Sequence, residues 1–492
     1  MKKRKKIILG SITGALALAL AGGGFWAYKT FVPQETPIDK NATVASNFYQ
    51  AVNKDWLLKT KIPADSPSID NFYTLDEDIK GKLKKDIKNL GEGKETSDIT
   101  GMSEFITFYK AASDYKQREK DGLEPLKPYL KEIEDIKDLN DLASKSASLT
   151  DKGIPLPFGY DVGTNAENTS QKQIQLSPPS ILLPDVSIYK DEASKKQYLT
   201  PIETATQKAL EMLGYSEKNS KRIVKEALEF DEIIAKYSLS NEEMSESKNL
   251  VHPKTAEEIN AYSGSFKLYD VIKGIMGRDL ETINVPNTKY FENYSKVVNQ
   301  DNFSKIKSWI LVQEAMAASN SLTEDYRLNF ASISMAIMGT QKPVSKEDTV
   351  YEMSVHLFSD VMSVYYGRKY FGEEAKTDVT GMIDKIKNVY RGRLQKNNWL
   401  TEGTRNKAIE KLDKMKVFVG YQEDVDPGTK ELHLDPNKSF FELSEDIAQF
   451  GKRYTIDHFD DPIDKNKWSG SAFDINAYYN PESNSINFPA GI

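Results

Sequence analysis

The sequence predicts a mainly α-helical protein with an N-terminal membrane anchor, a large helical region and a small β-containing part at its C-terminal end. Three observations support this fold class. An uncharged stretch covers residues 7–28, apolar residues recur at helical spacing in several segments, and the last 25 residues alternate between apolar and polar side chains. Helical spacing puts apolar side chains on one face of a helix, whereas a period of two is typical of a strand with one buried face.

The N-terminal segment is predicted to anchor the chain in a lipid bilayer. Residues 1–6 carry five basic side chains, and the 22 residues 7–28 are enough to cross a hydrocarbon core of about 30 Å at roughly 1.5 Å per residue. Basic residues beside a span stay on the cytoplasmic side, so residues 1–6 are expected inside and the chain from the linker 29–46 onward outside. The alternative is a signal peptide cleaved near Ala21, which would give a secreted protein.

Three amphipathic stretches beyond the linker predict helices that pack against a core. Their apolar residues are Ile223, Ala227, Phe230 and Ile234 in residues 219–237; Met382, Ile383, Ile386, Val389, Tyr390 and Leu394 in residues 379–394; and Ala408, Ile409, Leu412 and Met415 in residues 408–415. Apolar side chains spaced three and four apart form one stripe on a helix, and such a stripe is expected to be buried.

Two segments predict β-structure. Prolines interrupt the helical pattern within residues 153–189, and the polar stretch between them indicates a strand or hairpin. Residues 421–440 have the composition of a loop. Near the end, residues 473–478 alternate between apolar and polar side chains, a turn is expected at 480–485, and residues 486–489 follow as a second strand. This pattern predicts a terminal hairpin, which was expected to lack further strand partners and to expose an apolar edge.

Composition excludes several classes of function. The chain has no cysteine, which rules out disulfides, thiolate metal sites and cysteine nucleophiles, and its net charge of −7 argues against nucleic-acid binding. No HExxH, GxSxG, Walker A or GxGxxG motif is present. Of the four histidines, His252 is expected to be structural and His356 to lie in the core. His433 and His458 each have aspartates nearby, but isolated histidines in loops are more often solvated than metal-bound.

Several segments, in order along the chain, resemble the neprilysin family of zinc metallopeptidases, of the bacterial oligoendopeptidase O type. They are residues 47–57 (NFYQAVNKDWL) with 62–65 (IPAD), 183–189 (LPDVSIY), 366–371 (YGRKYF) with the pattern from Trp399 to Tyr421, and 475–481 (INAYYNP) with 484–490 (NSINFPA). The chain departs from the family pattern at Asn47, Lys54, Gly470 and Ala472. The resemblance implies a mostly helical N-terminal peptidase domain over residues 47–425 and the start of the catalytic domain over 426–492.

The resemblance also implies a substrate site at Asn476 and Ala477. In the family this motif is an edge strand whose main chain pairs with an extended oligopeptide. The family's zinc ligands lie on an HExxH helix after the FPA segment and on a later helix, and none of them is present in these 492 residues. The chain is therefore expected to be an N-terminal portion with no catalytic or metal-binding residue of its own, so zinc belongs to the full-length enzyme and does not bind here.

Two functions follow as hypotheses. The first is a membrane-anchored extracellular zinc metalloendopeptidase that cleaves oligopeptides, represented by its N-terminal portion. The second is a non-catalytic, membrane-anchored scaffold that binds peptides. The DNA that follows the Ile492 codon separates them, because only the first hypothesis expects an HExxH sequence there.

Overall fold

The structure, a computed structural model, describes residues 38–468 and 470–492. The predicted anchor at residues 7–28 and the alternative cleavage site near Ala21 lie outside these residues. Among the described residues, no helix is both long enough and apolar enough to cross a membrane.

Helices dominate the described chain. The α-helices are α1 (Phe48–Lys59), α2 (Asn71–Gly91), α3 (Met102–Ser113), α4 (Tyr115–Asp121), α5 (Lys127–Glu134), α6 (Leu139–Asp151), α7 (Glu192–Met212), α8 (Glu217–Tyr237), α9 (Asn241–Met244), α10 (Ala256–Tyr262), α11 (Leu268–Met276), α12 (Thr288–Glu292), α13 (Tyr294–Val297), α14 (Phe303–Ala317), α15 (Glu324–Met338), α16 (Lys346–Leu357), α17 (Ser359–Tyr366), α18 (Gly372–Gln395), α19 (Glu402–Asp413), α20 (Pro427–Glu431) and α21 (Phe440–Asp457). A π-helical turn, Gly367–Phe371, joins α17 to α18.

In the part of the chain that the structure describes, seven strands form two small sheets. The strands are β1 (Gly159–Thr164), β2 (Lys172–Ser177), β3 (Pro253–Lys254), β4 (Ile283–Asn284), β5 (Lys416–Gly420), β6 (Tyr478–Asn480) and β7 (Ser485–Pro489). The first sheet has the order β1-β2-β4-β3 and the second the order β5-β7-β6. β1 and β2 are antiparallel, with Gly159 opposite Ser177, so the strand or hairpin predicted within residues 153–189 is a hairpin.

The described residues enclose two apolar cores. The first lies among helices α5 to α15 and the β1–β2 hairpin, and its largest fully buried side chains include Trp309, Tyr290 and Phe230. The second lies among α2, α3, α16 and α17. Helix α21 contributes to both, since Phe441 and Ile456 pack in the first core while Phe440 and Leu443 pack in the second.

The first amphipathic stretch is confirmed. Residues 219–237 lie in α8, and Ile223, Ala227, Phe230 and Ile234 are all buried. Ser216 caps the helix by accepting a hydrogen bond from the Asn219 N–H, which satisfies one of the free donors of the first turn.

The other two stretches are helical but are not packed as predicted. In α18 only Ile383 is buried, and the side chains on the face of Met382, Ile386 and Tyr390 are exposed. In α19 only Leu412 is buried. The periodicity identified helices with an apolar face correctly, but no described residue covers the α18 face.

The terminal hairpin differs from the prediction in two respects. Its first strand is limited to Tyr478–Asn480, because residues 473–477 approach it as an irregular segment. Its second strand does have a further partner, since β7 pairs in parallel with β5, with Lys416 opposite Ser485 and Gly420 opposite Pro489. The loop expected at 421–440 also contains the short helix α20.

Candidate functional site

The segment that leads to Asn476 is fixed to the second core. The buried Ser363 hydroxyl on α17 accepts a hydrogen bond of 2.8 Å from the Ala472 N–H. The Ala472 carbonyl in turn accepts one of 2.9 Å from the Gly491 N–H. These two hydrogen bonds join the segment before β6 to the segment after β7 and attach both to α17. The position of residue 476 is therefore fixed before β6 begins.

The turn between β6 and β7 fixes the register of the hairpin. The Asn480 side chain accepts hydrogen bonds from the N–H groups of Glu482 and Ser483, which is an Asx turn. Asn484 has a left-handed backbone with φ of 48°, a conformation that asparagine tolerates better than most residues. Its side chain donates to the Lys411 carbonyl at 3.0 Å and accepts from the Tyr479 hydroxyl at 2.9 Å.

No described strand pairs with the outer edge of β6. The Lys416 N–H donates to the Asn484 carbonyl, and the Ala490 N–H donates to the Gly420 carbonyl. Even-numbered residues of β7 therefore face β5, and the alternate residues Ser485 and Asn487 face β6. Since Ser485 is opposite Asn480 and Asn487 opposite Tyr478, the main-chain groups of Ala477 and Tyr479 point away from the sheet.

The structure places both predicted site residues at this edge. Asn476 and Ala477 are exposed. The Asn476 Oδ1 accepts a hydrogen bond of 2.8 Å from the Ala477 N–H, while no described residue accepts from the Asn476 Nδ2. The groups that the edge offers to an extended chain are therefore the Asn476 amide donor, the Ala477 carbonyl, and the N–H and carbonyl of Tyr479.

A packed glycine–tyrosine pair supports the other side of the sheet. A Cβ on Gly367 would lie 2.0 Å from the Tyr421 Cγ, so only glycine lets the π-helical turn approach this ring. The Tyr421 hydroxyl donates to Glu373 at 2.8 Å. Burial, reinforced by this hydrogen bond, raises the pKa of Tyr421 to about 12 and keeps it a donor at neutral pH. The turn and α18 are thus locked to the end of β5.

The described residues do not fit a zinc site. Zinc in proteins needs three or four closely grouped nitrogen, sulfur or carboxylate ligands, and no group of three histidines, aspartates or glutamates suitable for a metal occurs in the described ranges. His252 lies beside β3, and His433 is 83% exposed, 3.8 Å from Glu104. His458 stacks on Tyr454 with ring centroids 3.9 Å apart. His356 is exposed at the last turn of α16, so its predicted place in the core is wrong.

Sequence reasoning missed a cleft between the two cores. A cavity of about 1140 Å³ is bordered by β1, β5, α21 and the segments around residues 421–428 and 461–468. A second cavity of about 640 Å³ adjoins it and reaches the β6–β7 turn at Asn480 and Glu482. These walls come from segments hundreds of residues apart in sequence, so no local spacing could have indicated the cleft.

Comparison with known proteins identifies the family. The sequence profile of peptidase family M13 matches residues 44–422. The neutral endopeptidase of Lactobacillus helveticus is 32% identical over 455 residues, covering 92% of this chain and 70% of the relative. The neutral endopeptidase of Lactococcus lactis subsp. lactis is 30% identical, covering 91% of this chain and 71% of the relative.

Solved structures agree in fold. The crystal structure of PEPO from Lactobacillus rhamnosis superimposes with a TM-score of 0.86 at 25% identity, covering 92% of this chain and 71% of that one. The Mycobacterium tuberculosis zinc metalloprotease ZMP1, in complex with an inhibitor, has a TM-score of 0.80 at 20% identity, covering 93% and 69%. The chain therefore belongs to peptidase family M13, the neprilysin-type peptidases.

Proposed function

We propose that this chain is the peptide-holding portion of a zinc metalloendopeptidase that cleaves oligopeptides outside the cell. The unpaired edge of β6, with Asn476 and the main chain of Ala477 and Tyr479, carries this proposal. An edge strand binds an extended peptide through main-chain hydrogen bonds, so it accepts many side-chain sequences. This is the property that a peptidase acting on varied oligopeptides requires.

The geometry supports a preformed edge. The Ser363 contact, the Asx turn and the β5–β7 pairing hold β6 from three directions, so little main-chain entropy remains to be lost when a peptide binds. The Lys411 ammonium lies 5.5 Å from the centre of the Tyr479 ring, where it holds this exposed side chain against α19.

A binding experiment tests the edge directly. Fluorescence anisotropy of labelled ten-residue peptides would be measured with the full chain and with Tyr479→Pro, which removes an outward N–H without breaking the pairing to β7. We expect at least a tenfold loss of affinity for peptides without basic residues, whatever their other side chains. Asn476→Ala should lower the affinity less than Tyr479→Pro does. Asn487→Ala would not serve as a control, because Asn487 is buried. Equal binding by Tyr479→Pro and the unchanged protein would contradict the proposed role of β6.

The proposal predicts no hydrolysis by these 492 residues alone. The chain has no HExxH motif and its described residues do not form a metal site, so peptide binding should occur without cleavage. Mass spectrometry of a peptide mixture after incubation with the purified chain and zinc would show intact peptides. Zinc-dependent cleavage that a chelator abolishes would refute this expectation.

The proposal includes a membrane anchor at residues 7–28, with residues 1–6 in the cytoplasm. Membrane fractionation tests it, since deletion of residues 1–28 should move the protein from the membrane pellet to the soluble fraction. A secreted form whose N-terminus begins after Ala21 would instead support signal cleavage. The scaffold alternative shares the same edge strand and differs only in the sequence that follows Ile492.

A further inference from the structure

Within residues 38–468 and 470–492, β1 is an edge strand of the first sheet with no partner on its outer side. The strand pairs with β2 on one side only. The Asn165 N–H donates to the Gln171 carbonyl, so the main-chain groups of Asn165 face the partner strand. Because main-chain groups point alternately toward and away from the partner in an antiparallel strand, those of Gly159, Asp161 and Gly163 also face β2. Those of Tyr160, Val162 and Thr164 therefore point outward. In agreement, the Val162 N–H is bound by the neighbouring Asp161 side chain at 2.8 Å.

Residues along the whole of β1 border cavities. Gly159 to Val162 border a cavity of about 530 Å³, and Val162 to Thr164 border the larger cavity of about 1140 Å³. Both cavities share Gly451 and Thr455 of α21 as their opposite wall. The two cavities thus form a channel beside β1, wide enough that a Cβ added to Gly451 would meet no atom within 4 Å.

The channel carries an excess of negative charge. Six carboxylates and three lysines border the larger cavity. Lys376 pairs with Glu423, and Lys467 pairs with Asp426 at 2.9 Å, so these lysines are already neutralised. Asp461, Asp464 and Glu482 form no ion pair with any described residue. A ligand with positive charge is favoured here, and one with negative charge is repelled.

Two buried donors in the channel wall lack acceptors. Trp468 is 8% exposed, and no described residue accepts a hydrogen bond from its Nε1 or from the Gln422 Nε2. Both residues border the larger cavity and the one adjoining it. A buried donor without a partner is unfavourable, and a carbonyl oxygen would satisfy it once either side chain turned its nitrogen toward the cavity. Peptide carbonyls are such acceptors, and they carry no net charge that the carboxylates would repel.

We infer that the channel beside β1 is a second peptide-binding edge, which takes an extended oligopeptide segment rich in lysine or arginine. The peptide main chain would pair with the outward groups of Tyr160 and Thr164 and with the Val162 carbonyl, since the Val162 N–H is already bound to Asp161. Its cationic side chains would lie near Asp461 and Asp464. The inference rests on the proposed function in that the ligand is a peptide handled by this peptidase fold. It adds a preference for basic sequences, which the β6 edge does not impose.

Gly451→Leu tests the channel with little risk to folding. The glycine lies within α21, where leucine is a better helix former, and the new side chain would project into the channel. Gly392→Leu in α18 is the matched control, because this helical glycine also has no atom within 4 Å of an added Cβ and does not border the channel. Anisotropy titrations would compare three labelled ten-residue peptides that differ only in lysine, alanine or glutamate at alternate positions.

The unchanged protein should bind the lysine peptide at least tenfold more tightly than the glutamate peptide at low salt, and the difference should shrink in 0.5 M salt, where screening lengths fall to a few ångströms. Gly451→Leu should remove most of this preference, whereas Gly392→Leu should not. The double variant Asp461→Asn, Asp464→Asn should weaken binding of the lysine peptide and of neither other peptide. The control is the double variant Glu281→Gln, Glu292→Gln, which removes two exposed carboxylates elsewhere and should leave binding unchanged.

The two binding edges can be told apart. If both proposals hold, Tyr479→Pro should lower the affinity for the alanine and glutamate peptides, which depend on β6, and should leave the lysine peptide bound at the channel, so the lysine preference should persist or widen. A lysine preference that survives in Gly451→Leu would overturn the β1 inference, whatever the β6 result. Loss of the preference in Gly451→Leu, together with no effect of Tyr479→Pro, would support the channel and contradict the proposed function of β6.

Discussion

A buried carboxyl group at the junction of the two cores should make stability depend on pH. Glu314 of α14 is 5% exposed, and burial, with repulsion from Glu445, raises its pKa from 4.5 to about 8. Glu445 of α21 has a pKa raised to about 7 by burial, and burial lowers the pKa of Lys452 on the same helix. Tyr326 of α15 and Tyr129 of α5 face the same cluster, and burial raises the pKa of both.

The direction in which the free energy of unfolding changes with pH follows from the ionisation of the unfolded chain. Below about pH 4.5 Glu314 is protonated in both states and does not affect the balance. As the pH rises toward 8 the unfolded chain ionises first, so the free energy of unfolding falls, and the loss is complete above the folded pKa. At about 1.4 kcal/mol per unit of pKa difference, the full effect is at most about 5 kcal/mol.

Glu314→Gln removes this ionisation while it keeps the shape of the side chain. We expect the variant to match the unchanged protein near pH 4.5 and to be more stable by at least about 2 kcal/mol at pH 8.5. For a cooperative unit of about 200 residues this corresponds to a rise of roughly 4 °C or more in the midpoint of thermal unfolding. Circular dichroism and scanning fluorimetry from pH 4.5 to 9 would measure it.

Glu292→Gln, an exposed glutamate on α12, is the matched control and should leave the midpoint unchanged at every pH. In the Glu314→Gln variant, Glu445 should still make the free energy of unfolding fall as the pH rises, but by less than in the unchanged protein. If the difference between Glu314→Gln and the unchanged protein is the same at pH 4.5 and at pH 8.5, the carboxyl group is not held protonated in the folded state and the reasoning fails.

Three further substitutions test the packing. Gly367→Ala should destabilise the protein by about 1–3 kcal/mol in urea unfolding, because its Cβ would overlap the Tyr421 ring; Gly403→Ala, which meets no atom within 4 Å, should not. Arg118→Met should cost about 3 kcal/mol or more, since the buried guanidinium donates to the carbonyls of Ala112, Asn320 and Leu322, and a melting point unchanged from the parent would contradict this. Ile386→Lys on the exposed face of α18, where Ile386 is 65% exposed, should reduce binding of an apolar dye and light scattering at high concentration, whereas Lys385→Ala should not.

Features that depend on local spacing could be predicted from the sequence. The stripe of α8 was predicted because its apolar residues recur with the helical period. The β1–β2 hairpin was predicted because prolines end the helical pattern on both sides. The motif around Asn476 was located by resemblance alone, and the structure shows that Asn476 and Ala477 are exposed beside β6, while their role stays a prediction.

Features that depend on distant partners were not predictable. An apolar stripe shows that one face of a helix favours burial, but it does not show what covers that face, and the exposed α18 stripe illustrates the difference. The pairing of β7 with β5 joins residues 416–420 to 485–489, and neither segment contains information about the other. His356 was misplaced because apolar neighbours along the chain do not reveal which side of the helix a residue occupies.

Helix α21 links the electrostatics of the junction to the channel. It packs side chains in both cores, carries Glu445 and Lys452, and supplies Gly451 and Thr455 as the wall opposite β1. Because its residues belong to two cores, the helix cannot move away from β1 without loss of packing in at least one of them. The width of the channel is therefore fixed by apolar contacts on both sides, and the absence of a side chain at residue 451 leaves the β1 edge open. An edge held open by core packing is available to a ligand without prior unfolding, which is why a single side chain at this position should control binding there.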